Sequence, residues 1–203
     1  MIIVGLTGSI AMGKSSAARA FRCCGVCVYD ADGEIHKLMG PGGGALEVVS
    51  NAFPGVLAED YIDRAKLGAL VFADDAALAR LEAILHPLAA RAREKFLALA
   101  ARRGERLVVL DIPLLMETGG DVDCDFVVVV SAPPFVQRQR VLARPGMTPE
   151  RLRAILERQL PDLEKRRRAD FIVQTGLGHA FSLRAIARMV DTIGDQNEGT
   201  DHA

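Results

Sequence analysis

Ile2-Ile3-Val4-Gly5-Leu6-Thr7-Gly8-Ser9-Ile10-Ala11-Met12-Gly13-Lys14-Ser15 joins an apolar run to the pattern G-x-x-x-x-G-K-S, which falls on Gly8 to Ser15. A buried strand ends where the glycines begin, and Lys14-Ser15-Ser16-Ala17-Ala18-Arg19-Ala20-Phe21 reads as a helix starting at the lysine. This order of strand, loop and helix separates a phosphate-binding loop from a chance Gly-rich turn. Successive backbone N–H groups of such a loop face one concavity, and the helix start adds the positive end of its dipole. The expected nucleotide-binding set is therefore Gly8, Ser9, Ala11, Met12, Gly13, Lys14, Ser15 and Ser16. The Lys14 ammonium would reach the β- and γ-phosphates, and the Ser15 hydroxyl would complete the shell of a Mg²⁺ ion.

Composition sets the frame around that loop. The 203 residues, half of them hydrophobic, suffice for a single domain with an inserted subdomain. A net charge of −1 gives no reason to expect a nucleic-acid or membrane partner. No apolar run reaches the roughly 18 residues of a membrane span, and the first strand lacks the charged start of a signal peptide, so a cytoplasmic chain is expected. Cys23, Cys24 and Cys27 cluster near the end of the first helix, with Cys124 apart. No second ligand pair stands at metal spacing, so the expectation is small buried thiols in a reducing compartment. A monomer or small homo-oligomer is expected.

Further along, Gly25 to Tyr29 reads as a second short buried strand ending at Asp30, and Ala31 to Leu38 as a helix with Asp30 or Asp32 at its start. Gly40-Pro41-Gly42-Gly43-Gly44 is a break. From Ala45 to about Arg103 the chain is helical in character, with interruptions expected at Phe53-Pro54-Gly55 and at His86-Pro87. That is more than one crossover needs, so an insert of about 40–103 should stand off as a subdomain. Arg106 to Asp111, Asp125 to Ser131 and Asp170 to Gln174 are the remaining strands. The β-branched run Val127 to Val130 requires cover on both faces. Helices are expected over Pro134 to Ala143, from Thr148-Pro149-Glu150 onward and over Leu183 to Ile193, with a frayed polar tail after Gly194. The fold class that follows is α/β: a parallel five-stranded sheet of the P-loop NTPase type, with helices on both faces, the helical insert and a lid of about 138–168.

A triphosphate loop leaves the reaction open between a GTPase-like switch, an ATP-driven motor and a small-molecule kinase. Asp30-Ala31-Asp32-Gly33 matches the D-x-x-G of switches, but Gln174-Thr175-Gly176 stands where a guanine-reading segment would be needed. Arg138, Arg140 and Arg144, followed by Lys165-Arg166-Arg167-Arg168, suit a lid that neutralises phosphate charge and excludes water. Where helix spacing holds, Arg140 and Arg144 share a face. Asp30 and Asp32, on a strand expected to neighbour the loop, are candidates for the acceptor's base, and one can cap the helix while the other serves catalysis. Asp111, ending the third strand, is a candidate for contact with the Mg²⁺ shell.

The chain also resembles the dephospho-CoA kinase family. The resemblance rests on the loop, on Asp30-Ala31-Asp32 with His36, on Arg64 to Gly68, on Val71-Phe72-Ala73-Asp74, on Leu85-His86-Pro87, on Asp111 to Glu117 and on Ala169 to Val173. It covers nearly the whole chain. It implies ATP-dependent phosphorylation of the ribose 3′-hydroxyl of dephospho-CoA, the last step of coenzyme A synthesis, with Mg²⁺. It places the base at Asp32 and the phosphate clamp at Arg140, then Arg144, with Thr175 and Gly176 near the adenine. Acceptor contacts are implied at His36, Leu67, His86, Pro113, Leu114 and Glu117, with the insert carrying the acceptor. Another small P-loop kinase acting on a nucleoside monophosphate, or a catalytically silent nucleotide sensor, are the alternative readings. The chain departs from the family at Ser9 and Ala11, where glycine is common. If Ala11 needs φ > 0, its Cβ costs about 1 kcal/mol.

Overall fold

The computed structural model describes residues 1–72 and 74–198, with side chains described as far as Gly194. Ala73 of the Val71–Asp74 segment and the tail from Gly199 lie outside the described residues. Two compact units form, one from Met1–Tyr29 with the chain from Ala100 onward, the other from Asp30–Leu99.

The first unit is built on the sheet. Strands β1 (Ile2–Thr7), β2 (Cys27–Asp30), β3 (Leu107–Asp111), β4 (Phe126–Ser131) and β5 (Phe171–Gln174) lie in the order β2-β3-β1-β4-β5. The β1/β3, β1/β4 and β4/β5 pairs are parallel. Leu6 stands opposite Asp111, so the carboxylate ending β3 is level with the entry to the loop. Because side chains alternate across a strand, the four valines of β4 split between two cores. Val128 and Val130 join Val4, Leu6 and Val109 under α1 (Lys14–Cys23) and α9 (His179–Glu198), which contribute Ala17, Phe21, Ile186 and Ile193. Val127 and Val129 turn to the other face, against Leu115 and Met116, with Leu160 and Ala169 alongside. Both faces are covered, as the uniform β-branched run required.

Between β4 and β5 run α6 (Pro134–Leu142), α7 (Pro149–Glu157) and α8 (Asp162–Arg168). Thr148 caps α7 by accepting from the Arg151 N–H at 3.3 Å, with proline at its first turn. Helix α9 continues to Glu198, past the Gly194 at which fraying was expected.

The second unit holds α2 (Ala31–Leu38), α3 (Leu46–Ala52), α4 (Arg64–Phe72) and most of α5 (Asp75–Arg102). Met39, Val49, Phe53, Ile62, Leu67, Leu81 and Leu85 form its own core. Among the described residues no helix is long and apolar enough to cross a membrane.

Several expectations need correction. Strand β2 is an edge strand with Cys27 and Val28 half-buried, because β3 is its single neighbour. It is separated from β1 by β3 and so does not neighbour the loop's strand. His86-Pro87 does not break the chain: α5 runs straight through Pro87. The missing proline N–H forfeits one turn's hydrogen bond, but Leu81, Leu85 and Leu88 pack into one core on either side of the lesion. His86 and Pro87 themselves face solvent, where water can satisfy the freed carbonyl. The cysteines are not buried thiols either: all four are free, Cys23 is exposed and the other three are half-buried. Cys27 donates to the Glu105 carboxylate at 3.3 Å, and that hydrogen bond, with burial, pushes its thiol above the ordinary range.

Candidate active site

The loop leaves β1 through Gly8, where any Cβ would lie 2.4 Å from the Val130 side chain and 2.8 Å from its carbonyl oxygen. It closes a turn through Met12 N–H to the Ser9 carbonyl at 3.1 Å. Ala11 then adopts φ +58°, the single non-glycine residue with positive φ among those described. Gly13, at φ +96°, caps α1. Among the described residues, the backbone N–H groups of Ala11, Gly13, Lys14 and Ser15 have no protein acceptor. Four such donors at a helix start are an anion site. The expected strain at Ala11 is thus real, and it sits inside the anion-binding curve.

Lys14 reaches across to Asp111, Nζ to Oδ1 at 2.7 Å, with both side chains largely buried. Ser15 is exposed and its hydroxyl has no protein partner among the described residues. No cluster of three His, Cys, Asp or Glu side chains suited to a metal occurs among them. A hydroxyl and one nearby β3 carboxylate nonetheless suit Mg²⁺, which takes few protein oxygens and fills its shell with phosphate oxygens and water.

Arg140, on α6, lies against the loop. Its Nη1 donates to the Thr175 hydroxyl at 3.0 Å and to the Ala11 carbonyl at 3.4 Å, and its Nη2 to the Thr175 carbonyl at 2.8 Å. The sequence model of the dephospho-CoA kinase family matches residues 2–178. The chain belongs to the dephospho-CoA kinase family. It is 55% identical over 199 residues to the dephospho-CoA kinase of Mesorhizobium japonicum, covering 98% of each chain. The dephospho-CoA kinase of Novosphingobium aromaticivorans is 52% identical over 195 residues, covering 96% of each. Among solved structures, the dephospho-CoA kinase from Campylobacter jejuni superposes with a TM-score of 0.72 at 25% identity, over 96% of this chain and 98% of that one.

Within this dephospho-CoA kinase fold, several residues expected at the site have other work. The Met12 side chain is buried and accepts from the Ala132 N–H at 3.2 Å, while its own N–H closes the turn. Thr175 is tied into the protein on every side: its N–H donates to the Ser131 carbonyl, its carbonyl accepts from Arg140, and its hydroxyl donates to the Met12 carbonyl at 2.5 Å. Gly176 is exposed beside Pro133. Arg144 does not share a helix face with Arg140, because α6 ends at Leu142 ahead of Pro145. Arg144 is exposed just beyond that end. Pro113 accepts from the buried Thr7 hydroxyl at 2.8 Å through its carbonyl, and Leu114 is exposed. Glu117 does not offer its carboxylate outward: Oε1 accepts from the Leu160 N–H at 2.9 Å and pairs with Lys165 Nζ at 2.7 Å. Lys165 is therefore an interior cation and adds nothing to a lid surface.

In the second unit, Leu67 is part of the core and 3% exposed. His36 is exposed and its Nδ1 lies 2.8 Å from Arg64 Nη1; arginine can only donate, so that nitrogen accepts. His86 is exposed on α5. The Asp30 carboxylate accepts from the Gly33 N–H at 3.0 Å and caps α2. Asp32, in the first turn of α2, is exposed and has no protein partner among the described residues.

Sequence reasoning missed two glutamines. Gln137 is buried on α6 and its Nε2 donates to the Ile10 carbonyl at 2.9 Å. Gln159 accepts from the Ile10 N–H at 3.0 Å. Gln137 stands three residues before Arg140, on the same helix face, which is the one signal that could have found it. Gln159 lies in the connection after α7 and carries no such signal.

Proposed function

We propose that this chain transfers the γ-phosphoryl group of ATP to the ribose 3′-hydroxyl of dephospho-CoA, giving coenzyme A and ADP. The observation that carries the reading is the set of four loop N–H groups without protein acceptors beside Lys14, in a chain of this family. Phosphoryl transfer asks the protein for positioning and charge neutralisation. Lys14 exchanges the Asp111 carboxylate for the β- and γ-phosphate oxygens. Ser15 and Asp111 would hold Mg²⁺, which neutralises charge on those oxygens when bound. Arg140 clamps the transferring phosphate from the α6 side.

The 3′-oxygen forms the new bond to phosphorus as the bond from the γ-phosphorus to the bridging oxygen breaks, and ADP leaves. Asp32 accepts the hydroxyl proton. The division of labour between the two acids supports this choice, since the Asp30 carboxylate is spent on capping and the Asp32 carboxylate is not. The unit Asp30–Leu99 carries the acceptor, and the helices between β4 and β5 act as the lid.

An ADP-release assay offering dephospho-CoA, AMP, CMP and shikimate tests the acceptor, with turnover expected on dephospho-CoA alone. Preference for a nucleoside monophosphate would replace this reading with the general kinase one, and ATP binding without turnover on any acceptor would replace it with the sensor. Asp32→Asn is expected to lower kcat by about 10²–10⁴ while ADP affinity stays unchanged. Wild-type turnover in that variant removes Asp32 as the base.

A further inference from the structure

Three successive carbonyls of the loop are tied from outside by side chains distant in sequence. Gln137 Nε2 holds the Ile10 carbonyl at 2.9 Å, Arg140 Nη1 the Ala11 carbonyl at 3.4 Å, and Thr175 Oγ1 the Met12 carbonyl at 2.5 Å. In a trans peptide the carbonyl and the following N–H point in opposite directions. Drawing the Ile10 and Met12 carbonyls outward therefore turns the N–H groups of Ala11 and Gly13 inward, and these are two of the four without acceptors. Ala11 sits between the ties at φ +58°, a conformation that alanine leaves when nothing holds it. Gly13 completes the arrangement, because a Cβ there would lie 2.8 Å from the Thr175 hydroxyl oxygen and push it off the Met12 carbonyl.

We infer that Thr175 and Gln137 are positioning residues of the nucleotide site, which hold the loop in its anion-binding shape and compensate for alanine at position 11. The inference rests on the nucleotide half of the proposed function and is independent of the acceptor. Arg140 makes the longest of the three contacts and is the group that turns to the phosphates, which leaves Thr175 and Gln137 as the permanent ties.

The test is ADP titration by calorimetry on the full chain, well below each variant's melting midpoint. Thr175→Val removes the hydroxyl and keeps the shape, Gln137→Met removes the amide at similar volume, and Thr175→Ser restores the hydroxyl. The first two are expected to weaken ADP binding about fivefold, the worth of one buried hydrogen bond, and Thr175→Ser by less than about twofold. KM for ATP should rise in parallel with kcat nearly unchanged, the split expected when ground-state and transition-state binding fall equally. Each substitution is then repeated with Ala11→Gly. Glycine adopts positive φ without strain, so the same losses should shrink to about twofold or less. A wild-type ADP affinity in Thr175→Val and Gln137→Met overturns the inference, and so do losses undiminished beside Ala11→Gly. If Thr175→Val does not fold, Gln137→Met decides. Because ADP binding needs no acceptor, failure on dephospho-CoA with these ADP results intact would remove the acceptor and leave the positioning role standing.

Discussion

Lys165 lies in a run of four basic residues, yet its side chain is fully buried while Arg166, Arg167 and Arg168 are exposed. Arg167 pairs with Glu164 at 2.9 Å and Arg168 with Asp121. Lys165 instead meets Glu117, which also accepts from the Leu160 N–H, so one carboxylate pins the segment after β3 to the start of α8. Breaking a buried ion pair strands the other charge, which costs more than the pair is worth. Lys165→Met is expected to destabilise by about 3–5 kcal/mol. Glu117→Gln beside it keeps an acceptor for Leu160 and removes the stranded charge, so the double variant should regain more than half of that loss. Urea unfolding of the single and double variants checks this, and strict additivity would show that the two side chains are not coupled.

At the level of elements, Asp125 and Asp170 read as strand residues, but each stands just before its strand and fastens it. The Asp125 carboxylate accepts from the Ile3 N–H at 2.7 Å, and the Asp125 N–H donates to the Ile3 carbonyl. Asp170 repeats the device one strand along, on the Val127 N–H at 2.7 Å and the Val127 carbonyl. Asp170→Ala should therefore cost about 1–2 kcal/mol by urea unfolding, and Asp170→Asn, which keeps an acceptor, clearly less. An equal cost for both would assign the effect to the carboxylate's charge, since asparagine keeps both the volume and an acceptor. The same contrast marks how far the sequence is legible. Strand β1, the loop and α1 are local features, and α2 begins at Ala31 as its N-terminal acid predicts. The strand order is not local: which strands flank β1 depends on crossovers, so β2 reads as buried although it is an edge. Pro87 reads as a break because propensity says so, and the packing of Leu81, Leu85 and Leu88 overrides it. At the site, the places of Lys14 and Ser15 at the start of α1 and of Asp111 at the end of β3 are legible because motif and strand end announce them. Gln137, Gln159 and the true work of Thr175 are not, since each acts through a contact more than a hundred residues distant.

At the scale of the molecule, the four loop N–H groups without acceptors, Lys14, Arg140 and the ties on Ile10 and Met12 all belong to the sheet unit, while Asp32 belongs to the helical unit with its own core. ADP, which offers phosphates and no acceptor, should then act on the first unit. A ligand at about 100 times its Kd adds about 2.7 kcal/mol to the state that binds it. For a chain of this size that corresponds to a rise in Tm of about 5–10 °C. Hydrogen exchange places the effect: ADP should slow the amides of Gly8 to Ala17 and of α6, and leave the core of the helical unit, around Val49, Leu67 and Leu85, at its unliganded rates. Lys14→Ala should abolish most of the Tm rise, because the proposed function gives the ammonium to the phosphates. Dephospho-CoA added with ADP should then slow amides in Asp30–Leu99. Equal slowing of both units by ADP alone would mean that the helical unit takes part in nucleotide binding, and the assignment of acceptor work to it would have to be redrawn.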